Sequence, residues 1–129
     1  MAVELQVLGW AALLQVFQLL LVAVAVNVQQ GVAWTAGSRD EAREHTGVAG
    51  RLKRAFDNHF EGLALFTIAV LVTVLGDGST TLSERCAWTY LGARVLYVPA
   101  YASGIPLVRS LIWAVGFFAT VAMLVAALP

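Results

Sequence analysis

Charge is the scarcest feature of this sequence. Only 12% of its 129 residues are Asp, Glu, Lys or Arg, about half the roughly 25% of an ordinary soluble domain. Eight basic residues balance eight acidic ones, so there is no net field to hold a polyanion, and nucleic acid is excluded as a partner. A single cysteine cannot close an internal disulfide, and with two histidines it is no basis for a structural zinc site. No metal is expected. What the chain has instead is apolarity: 60% of residues are hydrophobic and mean hydropathy is +0.79. That excludes a disordered chain, and the length suits one domain, residues 1–129.

The distribution of charge says where that domain resides. No charged residue stands between Glu4 and Arg39. Further uncharged runs cover Gly62–Gly76, Cys86–Ala93 and Ser110–Pro129. A bilayer core is crossed by about 20 apolar helical residues, so the pattern predicts an all-α integral membrane protein, a four-transmembrane-helix bundle with helices over about 5–30, 51–76, 83–103 and 106–128. Ala23-Val24-Ala25 has the look of a leader cleavage site, but the start carries Glu4 and lacks the basic residues of a leader. The first run is therefore read as a retained helix.

Punctuation fits this division. The polar segment Thr35–Gly50 reads as an aqueous loop, with His45 solvated. Gly76-Asp77-Gly78 is a turn, and Thr81 with Glu84 has capping-box spacing for the next helix. Ser103-Gly104-Ile105-Pro106 stops one helix and starts another. Gln15, Gln18 and Asn27 are polar members of the first helix, suited to hydrogen bonds between helices. Cys86 reads as a small buried hydrophobe. Trp10, Trp34 and Trp88 suit interfacial anchoring.

Two polar stripes interrupt the apolar pattern. Arg51, Arg54, Asn58 and Glu61 follow i, i+3, i+7, i+10 and share one helix face. Tyr90, Arg94, Tyr97 and Tyr101 follow i, i+4, i+7, i+11 on the next helix. Ionisable groups at bilayer depth cost at least about 2.5 kcal/mol each, so they face the protein interior or a wet cavity. The spacing allows two readings. Arg54 and Glu61 can be joined through Asn58, and Arg94 can pair with Glu61, as structural glue. Alternatively, a guanidinium among phenols can receive a carboxylate. Pro99 is expected to open the helix near Tyr97 and Tyr101. Arg109 and Ser110 stand in the first turns of the last helix, with Trp113 and Phe117 beyond them. Arg39, Arg43, Arg51, Lys53, Arg54 and Arg109 fall on one side and Arg85 on the other, so the loop after helix 1 is expected to be cytoplasmic and both termini outside.

The run Arg51-Leu52-Lys53-Arg54-Ala55-Phe56-Asp57-Asn58-His59-Phe60-Glu61 resembles the second-helix signature of the MAPEG family, the membrane-associated proteins in eicosanoid and glutathione metabolism. Ala93-Arg94-Val95-Leu96-Tyr97 followed by Tyr101 is similar to its third helix, and Pro106 followed by Arg109-Ser110 to its fourth. The resemblance covers Gly50 to Ser110 and is closest to short bacterial members, which implies the bacterial inner membrane. It implies a homotrimer with glutathione bound between subunits near the cytoplasmic face. Carried over by position, Arg51, Arg54, Asn58, Glu61, Arg94, Tyr97 and Tyr101 bind glutathione, and Arg109 and Ser110 lie beside its thiol. Five positions depart from glutathione-using members. Asp57 replaces a basic residue, Asn27, Gln29 and Gln30 replace a basic cluster, and Trp113 replaces an aromatic hydroxyl.

The resemblance thus implies a glutathione-dependent transferase or peroxidase-like enzyme acting on small lipophilic electrophiles that arrive through the lipids. One alternative is a non-catalytic or other-ligand-binding protein of the same fold. A small multidrug-type transporter of similar length would carry an acidic residue mid-way along its first helix, and here that interior is uncharged.

Overall fold

A computed structural model describes residues 1–129 and is entirely helical. Helix α1 spans Val3–Gln30, α2 Val32–Ala36, α3 Gly47–Leu75, α4 Thr81–Ala102 and α5 Pro106–Ala127. At 1.5 Å per residue, the 28 residues of α1 make about 42 Å. Three helices, α1, α3 and α5, are long and apolar enough to cross a membrane. The expected fourth, α4, has 22 residues but is not among these; Glu84, Arg85, Arg94 and three tyrosines dilute its apolarity. The chain is an integral membrane protein by these spans.

Helices α3 and α4 form the centre. Each packs against the other and against both α1 and α5, while the backbones of α1 and α5 stay apart. The bundle therefore has two sides. On the α1 side, Val7, Ala11, Phe66, Ala69, Val70, Ala87 and Met123 form the buried core. Tyr90 stacks on Phe66 with centroids 3.9 Å apart. The α5 side is the polar one. Gly116 allows α5 close to α4: a Cβ there would stand 3.4 Å from that of Ala93.

Residues 31–46 follow a break the hydropathy does not show. Gly31, at φ 88°, ends α1, and the chain re-enters helix for one turn. The loop then folds on Trp34, whose indole N–H donates to the Glu41 carbonyl (2.7 Å) while Arg39 and Arg43 lie 5.6 Å from its ring. His45, expected to be solvated, instead packs edge-on against Trp34. Gln29 closes the loop, donating to the Thr46 carbonyl (2.9 Å) and accepting from its N–H (3.1 Å). Helix α3 thus begins four residues before the expected Arg51. Gly50 is required there, since a Cβ would run into the His45 carbonyl oxygen.

At the opposite end, Glu4 is fully buried. The Ser79 hydroxyl donates to its carboxylate (2.8 Å), as does that of Ser83. Ser83 also accepts from the Thr80 N–H (2.8 Å), and its own N–H donates to Thr80 Oγ1 (3.2 Å). The capping box is therefore Thr80 with Ser83, one residue earlier than Thr81 with Glu84. The carboxylate sits at the start of α4, where the helix dipole favours negative charge. Ser83→Ala removes both contacts, and we expect a stability loss of about 1–3 kcal/mol. Glu84→Ala should cost under about 0.5 kcal/mol. Thermal unfolding of the detergent-solubilised variants measures both; equal losses would return the cap to Glu84.

Candidate functional site

The site lies on the α5 side, where the stripes of α3 and α4 face the first turns of α5. Three hollows meet there, and Asn58 lines all of them. The inner hollow, about 190 Å³, runs between Arg94, Glu61, Tyr90 and the aromatic wall of Trp113 and Phe117. The outer one, about 290 Å³, is almost wholly polar, with Arg54, Asp57, Glu61, Tyr97, Tyr101 and Arg109 around it. The third, about 410 Å³, passes from Arg109 and Tyr97 to Ser110, Trp113 and Ala114.

Local contacts set each side chain. Tyr101, in the last turn of α4, stands between two guanidiniums. Arg54 Nε donates to its hydroxyl (3.2 Å), with the Arg54 guanidinium 5.8 Å from the ring, and that of Arg109 lies 4.4 Å from the ring. The phenol thus holds two like charges near one another through its π face and oxygen. One or two turns deeper, Arg94 is 3% exposed. Its Nη1 donates to Asn58 Oδ1 (2.9 Å), and its guanidinium lies 4.3 Å from the Tyr97 ring. Its Nε and Nη2 have no partner.

The expected Arg94–Glu61 pair does not form. The ion pairs of the chain are Arg43–Glu41 and Lys53–Asp57. Asn58 takes the bond instead, because it stands one turn nearer on the same stripe. Nor is Glu61 joined to Arg54 through Asn58: Arg54 turns to Tyr101. Glu61 is exposed and unpaired, on the border of the inner and outer hollows. Asp57 is held by Lys53 Nζ at 2.7 and 2.9 Å, so its charge is matched locally.

Two expected site residues are placed differently. Arg51 is not on these hollows; its Nε donates to the Ala102 carbonyl (2.9 Å), satisfying one of the unpaired carbonyls that end α4. Ser110 lines the third hollow, but its hydroxyl donates back to the Pro106 carbonyl (3.0 Å). Tyr90, a member of the α4 stripe, lines the inner hollow with Trp113 and Phe117, none of which was among the residues carried over by resemblance. Trp113 and Phe117 stack at 5.0 Å. His59 points to the other side of α3, its Nε2 donating to the Ala11 carbonyl (3.0 Å). No group of three or more His, Cys, Asp or Glu gathers anywhere to hold a metal.

Chemically, the arrangement offers guanidinium donors to which an anion can bind. Arg54, Arg94 and Arg109 come from three helices, and none has a carboxylate within 4.0 Å. The family model described as MAPEG family matches residues 7–129. The chain belongs to the MAPEG family, which includes glutathione-related transferases and peroxidase-like members. Comparison with curated proteins and with solved structures gave no match.

The dependence of Arg94 on Asn58 is testable. Asn58→Leu leaves a buried guanidinium without its acceptor, and a hydrogen bond to a charged group is worth about 1.5–3 kcal/mol. Glu61→Leu breaks no such bond and should cost less than about 1 kcal/mol. Thermal unfolding of both variants decides; a larger loss for Glu61→Leu would show that Arg94 relies on the carboxylate.

Proposed function

With the family established, we propose that the chain is a membrane-embedded glutathione-dependent transferase or peroxidase-like enzyme acting on lipophilic electrophiles. The observation that carries this reading is the set of arginines without acidic partners around Asn58. Glutathione bears two carboxylates, one ammonium and a thiol. Arg54 and Asn58 suit a carboxylate and the peptide amides, and unpaired Glu61 suits the ammonium. Arg109, at the entry of α5, suits the sulfur. Tyr97 and Tyr101 wall the space between them.

Bound glutathione supplies a thiol nucleophile. A free thiol has a pKa of about 8.5, so only a few per cent is ionised at pH 7. Lowering it by about two units requires about 2.7 kcal/mol of preference for the anion. The Arg109 guanidinium, half-buried against the Tyr101 ring, can provide much of that through one charge-assisted hydrogen bond. Ser110 adds a second bond if its hydroxyl turns from Pro106. The same hollow reaches Trp113 and Ala114, an apolar side from which a lipid-soluble substrate can enter.

The finer architecture belongs to the same proposal. Helix α4, packed among the other three, is a fourth span. Three subunits assemble so that a neighbour covers the exposed edge at Arg54, Glu61 and Ser110, placing the ligand between subunits. The end with the arginines is cytoplasmic, both termini lie outside, and the membrane is the bacterial inner membrane. The present orientation of the Ser110 hydroxyl favours a second reading: a member that binds an anionic ligand without catalysis.

Two experiments test this. Loss of a contact to the reacting atom lowers turnover with little effect on binding, whereas loss of a carrier contact weakens binding. Arg109→Ala should therefore abolish the thiolate absorbance of bound glutathione and most conjugation of a chlorinated nitrobenzene. Arg54→Ala should mainly raise the glutathione Kd. Identical effects of the two substitutions would refute the division of roles. Native mass spectrometry should show trimers; monomers alone would refute the shared site.

A further inference from the structure

Helices α1 and α4 meet, away from the arginines of the site, along a groove of about 550 Å³. Every side chain on it is apolar, among them Trp10, Leu13 and Phe17 of α1 and Trp88, Leu91 and Val95 of α4. Its size falls within the roughly 300–1,000 Å³ of pockets that hold small molecules. Two mid-helix glycines border it: Gly9, one turn before Leu13, and Gly92, one turn after Trp88. A glycine inside a helix is destabilising relative to alanine. The backbone does not require either one, since neither has a positive φ. Packing does not require them either, since a Cβ on each would meet nothing within 4 Å. Bare backbone of this kind admits the close approach of something outside the chain. Arg85 stands one turn before Trp88 on the same face of α4, exposed and with no carboxylate within 4.0 Å. It is the only basic side chain at the end of the bundle that carries Glu4. Trp10 lies six residues past Glu4, and Trp88 five past Ser83, which bonds Glu4. Both indoles therefore stand about 8–9 Å from that contact, in the boundary layer that tryptophan favours.

We propose that the groove between α1 and α4 binds one phospholipid, with an acyl chain along the apolar walls and the phosphate on Arg85. The order along α4 is guanidinium, indole, then carbon, which is the order of headgroup, ester and chain in a lipid. A guanidinium pairs with a phosphate through charge-assisted hydrogen bonds. From Arg85 to Val95 is about 15 Å along the helix, so the groove takes the upper part of one chain. A second copy of this chain fits the groove badly. The face that needs covering carries Arg54, Glu61 and Ser110, all exposed, and the groove would meet those charges with carbon alone, which is costly. The site does not depend on the glutathione reading.

Dioleoyl phosphatidylglycerol is the probe, compared with dioleoylglycerol, which has the same chains and no phosphate. Added to the delipidated full-length protein in neutral detergent and read by native mass spectrometry, the phospholipid should bind saturably at one per chain. Dioleoylglycerol should bind at least tenfold more weakly. Arg85→Gln should weaken the phospholipid at least tenfold. Gly92→Leu fills the side of the groove without touching a charge and should do the same. Because leucine is the better helix former, Gly92→Leu should melt no lower than the wild type in lipid-free detergent, which separates lost binding from lost folding. Unchanged affinity in both variants overturns the proposal, as does binding that rises with lipid and never saturates. A photoreactive maleimide on Val95→Cys tests the other occupant: a link to the phospholipid supports the site, and a link between two copies of the chain overturns it.

Discussion

A guanidinium buried within the helix bundle is the constraint on which the site rests. Arg94, 3% exposed, must find partners inside the bundle, because an unpaired buried charge is costly. It finds one hydrogen bond at Asn58 and the face of Tyr97. Those contacts fix α3 against α4 at the level where the stripes face α5. Asn58 is thereby held at the junction of all three hollows. Nearer the helix ends, Tyr101 sets Arg54 and Arg109 in position. Two residues of the α4 stripe, Arg94 and Tyr101, thus set the site, and they leave a cluster of cations that an incoming anion can stabilise.

The two ends of the bundle are secured by different means. At the end of the arginines, side chains satisfy backbone groups: Arg51 meets the last carbonyl of α4, and Gln29 meets Thr46 ahead of α3. At the other end, Glu4 reaches the first turn of α4 through two serine hydroxyls. The apolar core of α1, α3 and α4, which Met123 of α5 joins, lies nearer that second end, with Val7, Phe66 and Val70. Packing therefore supports a scaffold on one side of the α3–α4 pair, and the polar hollows occupy the other.

Much of this was legible in the sequence, for identifiable reasons. Uncharged runs mark the helices because lipid penalises charge, and Ser103-Gly104-Ile105-Pro106 marks a boundary because glycine and proline have backbone requirements. The stripes were legible because helical spacing places their residues on one face. Partner choice was not. Asn58 and Glu61 stand one turn apart on the same stripe, so spacing cannot decide which of them meets Arg94. The capping box was misplaced by one residue because Thr80 and Thr81 both offer a hydroxyl, with Ser83 and Glu84 both able to answer. The burial of Glu4 depends on a contact with Ser83, 79 residues away, which no local pattern records. Helix α4 is readable as a helix, but its polar stripe hides it from a test of apolarity.

The central claim is that the arginines around Asn58 form a glutathione site. Equilibrium dialysis of radiolabelled glutathione against the purified wild-type protein in detergent tests it most directly. The account predicts saturable binding with a Kd no weaker than the millimolar range, displaced by excess unlabelled glutathione. No saturable binding at millimolar glutathione would contradict it.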